Sequence, residues 1–130
     1  MENQEKISSL LREHTGWQNK ISNFKTELNG LNDELGNSLL KIAPRDVPAH
    51  AEHFQNQFIL QKEVLDILRH DLKQYENLLE ANLEKPGKNP DIEIESERNR
   101  LKERLSDFGR IFDELRSEYI GFTRESLVIS

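Results

Sequence analysis

The chain contains no cysteine. Disulfides, thiolate nucleophiles and zinc–thiolate sites are therefore excluded, and a reducing cytoplasm is compatible with its chemistry. Glycine and proline are scarce, with 6 and 4 in 130 residues, too few for a turn-rich β fold. No stretch approaches the roughly 20 uninterrupted apolar residues that a membrane-spanning helix needs. The opening residues, Met1 to Lys6, are polar and lead into no apolar leader core, so no signal peptide is expected. A dense basic patch is missing too. The 18 Lys and Arg are interleaved with 24 Asp and Glu, for a net charge of -6. That distribution argues against nucleic acid and against anionic lipid as partners.

What the chain does have is charge laid over a repeating apolar pattern. The apolar share, 35%, is low for a compact globule but normal for elongated helices, whose surface is large relative to their core. Two breaks containing proline divide the sequence, Ala43 to Pro48 and Lys85 to Asp91. Proline stops a helix or sits in its first turn, so Pro44 and Pro86 read as stops and Pro48 and Pro90 as early helical positions. Asp91, Glu93, Glu95 and Glu97 crowd the start of the third segment, where the helix dipole favours negative charge.

Each segment carries a seam whose steps alternate between three and four residues. The first includes Ile7, Leu10, His14, Trp17, Ile21, Phe24, Leu28, Leu31 and Leu35. The second runs from Ala51 and Phe54 through Phe58, Gln61, Leu65, Leu68, Leu72, Tyr75 and Leu79. The third runs from Ile94 and Arg98 through Leu101, Leu105, Phe108, Phe112, Leu115, Tyr119 and Phe122. The expected fold is all-α: one domain over 1–130, with three long antiparallel helices in an up-down-up, coiled-coil-like bundle. The helices are expected at about 3–42, 48–84 and 91–126, each about 55 Å long. The lengths and topology are similar to a spectrin repeat, in architecture only. Folding the chain about its breaks pairs Leu35 with Phe54 and Phe122, Leu31 with Phe58 and Tyr119, and Phe24 with Leu65 and Phe112. The same rule sets His14 beside Tyr75 and Leu101, and gathers aromatic layers toward the first break.

Four seam positions are polar: His14, Gln61, Asn82 and Arg98. A buried polar group needs a hydrogen-bond partner. These positions either set the register or form a polar interior site, with His14 against Tyr75 and Arg98 extending its charge outward. For a metal the candidates are His50, His53 and Glu52, with the two histidines on one helix face, besides Glu13 with His14 and His70 with Asp71. Folding separates them, with the His14 and His70 layers about 9 Å apart along the axis. No metal or other cofactor is therefore expected. No nucleophile elbow, phosphate-binding glycine loop or His-Glu-x-x-His helix occurs, and no enzyme is expected.

The second segment carries a further apolar stripe: Ile59, Leu60, Val64, Ile67 and Leu78, interrupted by Asp71 and Gln74. It either faces two neighbouring helices or forms a homodimer seam or docking groove. The tail Leu127, Val128 and Ile129 adds to such a surface or frays. Gly16, Gly30, Gly36, Gly109 and Gly121 lie inside the helical segments. Gly36 and Gly121, at the end of Phe54 and Phe122, are expected to give room to bulky aromatics in close packing, with a bend or a ligand-sized gap as the alternative.

Glu52 to Phe58, followed by Leu68, Arg69, His70 and Asp71, resembles small all-helical bacterial proteins that have no assigned activity. The resemblance covers mainly the second segment and implies a bacterial cytoplasmic origin. The expected function is that of a non-enzymatic structural or protein-interaction module, self-associating through the second helix. The alternative is a helical bundle that binds a ligand or a divalent metal.

Overall fold

The structure is a computed structural model that describes residues 2–84 and 91–126. Three α-helices carry the fold: α1 (Glu2–Leu39), α2 (Ala49–Glu84) and α3 (Asp91–Ser126). The architecture is an all-α three-helix bundle, and among the described residues there is no strand. The second break and the apolar tail, with Pro86, Pro90, Leu127, Val128 and Ile129, lie outside the described residues.

The first break shows why α1 ends where it does. Ala43 precedes Pro44 and is pushed away from helical backbone angles. Regular helix stops at Leu39, short of the expected Ile42, and the chain tightens into three-residue steps. Lys41 N–H donates to the Ser38 carbonyl and Ile42 N–H to the Leu39 carbonyl, each at 3.2 Å. A single 3-10 turn, Pro44–Asp46, follows. Pro48 then stands just before α2, its carbonyl accepting from Ala51 N–H at 3.0 Å.

The three seams meet in one core. Leu35, Ala51, Leu79 and Phe112 are wholly buried, as are nearly all other seam members. The layers are those that folding about the breaks prescribes. Phe54 meets Phe122 with ring centroids 5.0 Å apart, and Tyr119 at 5.6 Å. Phe58 meets Tyr119 edge-on at 5.1 Å. Nearer mid-bundle, Phe24 of α1 reaches Phe108 at 5.0 Å and Phe112 at 5.5 Å on α3. Such aromatic pairs add about 0.5–1.5 kcal/mol each beyond the area they bury.

Backbone approach is closest between α2 and each of its neighbours. The parallel pair α1 and α3 is joined instead by side chains. Arg98 holds Glu13 in a two-pronged pair at 2.8 and 3.0 Å. Arg116 donates to Glu27 at 2.7 Å. The expectation that glycine makes room for the aromatic end is not met. A Cβ at Gly36 or Gly121 would find nothing within 4 Å; among the described glycines only at Gly109 would it touch anything, the Phe24 ring at 3.5 Å.

Candidate interaction surface

Of the four polar seam residues, His14 and Gln61 are absorbed by the core, and Asn82 and Arg98 are partly exposed. His14 is 1% exposed. Its Nε2 lies 3.0 Å from the Leu72 carbonyl, which only accepts, so Nε2 carries the hydrogen. Its Nδ1 lies 3.4 Å from a Glu76 carboxylate oxygen. Lys73 also grips Glu76, at 2.6 Å, and that bond holds the carboxyl below its usual range. Gln61 is buried in the α2 seam. Asn82 turns its amide back to the Leu78 carbonyl at 2.7 Å. Arg98 reaches outward to Glu13, and that bond lowers the Glu13 carboxyl and raises the guanidinium.

Tyr75 is the exception. It packs between His14 and Trp17, at centroid distances of 6.3 and 6.1 Å, and its buried hydroxyl has no hydrogen-bond partner among the described residues. Burial pushes its pKa up to about 12, with the Glu13 carboxylate adding to the effect. The Tyr119 hydroxyl, also raised to about 12 by burial, does find a partner, donating to Glu34 at 3.4 Å.

The histidines stay dispersed. His50 and His53 are exposed near the start of α2, with Glu52 exposed beside them. His53 lies edge-on against Phe54, at 5.5 Å. His70 lies beside its neighbour Asp71, with Nδ1 3.5 Å from a carboxylate oxygen. Among the described residues no group of three or more His, Cys, Asp or Glu is placed to hold a metal ion.

The second stripe on α2 divides into three parts. Leu60, Val64 and Ile67 are 47%, 40% and 59% exposed and form one outer column beside the seam. Leu78 packs against the core instead. Ile59 is exposed but sits toward α1, in a hollow with Leu28, Asn29 and Asn32. The column Leu60, Val64, Ile67 faces the α3 side of the molecule. Its next member, Asp71, accepts a 2.7 Å bond from Arg104 of α3, and this pairing lowers the Asp71 carboxyl. One heptad toward the first break on both helices, the same register brings Val64 level with Ile111. Ile111 is itself 40% exposed. Leu60, Val64, Ile67 and Ile111 therefore make one exposed apolar patch across two helices, apart from Leu40, Ile59, Ile92 and Ile120, which are also exposed. Ile111 was not among the residues expected from sequence. The signal was its position seven residues beyond Arg104, legible only once the Asp71 pairing is known.

A second feature escaped the sequence. Because α1 and α3 stand apart, a shallow groove of about 1090 Å³ runs between them. Trp17, Phe24 and Leu105 line it, with Lys20 and Lys102 among its polar walls.

Set against models of protein families, curated proteins and solved structures, the chain matches none. Among the described residues, no helix is long and apolar enough to cross a membrane.

Proposed function

We propose that the chain is a non-enzymatic protein-interaction module that self-associates through α2, in a bacterial cytoplasm. The setting rests on the resemblance of residues 52–58 and 68–71 alone. The interaction reading is carried by the unpartnered apolar column Leu60, Val64 and Ile67, extended by Ile111. Branched aliphatic side chains in an unbroken row stay half bare, although nearly every seam position is covered. Contiguous patches of about 300 Å² or more on a small monomer are often functional. Standard interfaces bury about 800 Å² per partner, so this patch supports a weak, concentration-dependent complex.

Light scattering after size exclusion tests the proposal. The mass is expected to rise from 15.2 kDa toward twice that value with concentration. Ile67→Lys, which places a charge at the most exposed member of the column, should hold the chain at the monomer mass. Its helical circular dichroism should not change. A wild-type chain that stays monomeric at the highest soluble concentration would remove the proposal.

A further inference from the structure

The exposed face of α2 is ordered about a centre. In three- and four-residue steps its outer column reads His53, Gln57, Leu60, Val64, Ile67, Asp71, Gln74. Reversed, it shows the same succession of polar and apolar positions about Val64. The facing column of α3 repeats the pattern as Arg104, Ile111 and Glu118, with opposite charges equally far from Ile111. The Asp71–Arg104 bond fixes the level of the two columns. Heptad spacing then sets Val64 level with Ile111 and Gln57 level with Glu118.

A two-fold axis crossing the helices at the level of Val64 and Ile111 makes this face complementary to itself. It brings Leu60 of one copy onto Ile67 of the other, and Val64 onto Val64. It also brings Arg104 onto Glu118 and Asp71 onto the amide of Gln57, a hydrogen-bond donor. The parallel alternatives are poorer. With α2 on α2 in parallel, each Asp71 meets its own copy. With the two bundles parallel and α2 laid on α3, Leu60 and Ile67 fall on the carboxylates of Glu114 and Asp107. The antiparallel pairing has adverse contacts too, with Glu63 near its own copy and Asp107 of each copy level with Glu114 of the other, although Arg110 lies within 3.7 and 3.8 Å of those two carboxylates in its own chain; these contacts are consistent with weak association.

We infer that the occupant of this face is a second copy of the chain, docked antiparallel with α2 against α2. Leu60 of each copy meets Ile67 of the other, and the Arg104–Asp71 end of each covers the Glu118–Gln57 end of the other. This rests on the self-association proposed above and adds its direction and register.

The absence of native cysteine makes the test direct. Leu60→Cys and Ile67→Cys chains, one of them labelled with a heavy isotope, are treated with a short bismaleimide alone and mixed, and the products are weighed. The mixed pair should cross-link several-fold faster than either variant with itself. Glu118→Lys, which sets a lysine beside Arg104 of the other copy, should weaken association several-fold. Leu60→Cys linking to itself as fast as to Ile67→Cys would overturn the antiparallel order and leave self-association standing. So would an unchanged affinity in Glu118→Lys for the proposed register. A strictly monomeric mass with no cross-linking in any pairing would remove both.

Discussion

Tyr75→Phe should make the protein more stable. The ring is 2% exposed and packed between His14 and Trp17, contacts that phenylalanine keeps. Only the hydroxyl is lost, and it has no hydrogen-bond partner among the described residues. Leaving a buried donor unpaired costs about 1–3 kcal/mol. The small void left by the oxygen offsets part of this, so a net gain of about 1 kcal/mol is expected. For a chain of this size that corresponds to a rise in Tm of about 4 °C. The alkaline limb gives a second measure. Burial raises Tyr75 to about 12, above the usual 10.0 of an exposed phenol. The unfolded state therefore releases its proton first. The stability from keeping Tyr75 neutral is full below pH 10 and is lost as pH rises through about 12, at a slope approaching about 1.4 kcal/mol per pH unit. Tyr119 behaves alike, raised to about 12. Denaturant titrations from pH 9 to 12 should thus show a shallower fall in Tyr75→Phe than in wild type. A loss of stability on substitution would mean that the hydroxyl has a partner, and an unchanged alkaline slope that burial does not shield it; either result would refute the reasoning.

Three further outcomes follow from the same geometry. Gly16→Ala and Gly30→Ala, inside α1 with open space where a Cβ would lie, should each stabilise by about 0.5–1 kcal/mol in urea unfolding; a loss would show that the space is used. Glu13, Asp71 and Glu76 are held below the usual carboxylate range, first of all by hydrogen bonds from Arg98, Arg104 and Lys73 respectively. The unfolded state therefore binds protons first on acidification: this stability is present above the unfolded pKa near 4 and is lost as pH falls through the lowered native values. Arg98→Ala should lower stability at pH 7 and flatten the acid limb below pH 4.5, with the slope from acid titrations as the check. Phe112→Ala, at a wholly buried position, should cost about 3–5 kcal/mol; a cost under 1 would mean that the aromatic layer is not packed as described.

Much of the bundle was legible because its pattern is periodic. The three- and four-step seams named the residues now found buried, down to His14 and Gln61. The prolines marked the first break, and regular helix ends at Leu39, three residues before the expected Ile42, where the chain tightens into three-residue steps ahead of Pro44. The glycine expectation failed because sequence shows where a side chain is missing but not what surrounds the gap. Leu78 and Ile59 were grouped with Leu60, Val64 and Ile67 because all five lie outside the seam. On the folded molecule Leu78 turns into the core while Ile59 faces the α1 side.

The sequence by itself determined the helices, the seams and the layers, since each depends on local backbone preference and on where apolar residues recur. Only the tertiary structure decided which polar groups are satisfied and which apolar groups are bare, because both depend on neighbours from other helices. Arg98 finds Glu13 across the α1–α3 boundary, Arg104 fixes Asp71, and the Tyr75 hydroxyl is left without a partner among the described residues. The same cross-helix pairing joins Ile111 of α3 to the α2 column and turns a one-helix stripe into a two-helix patch.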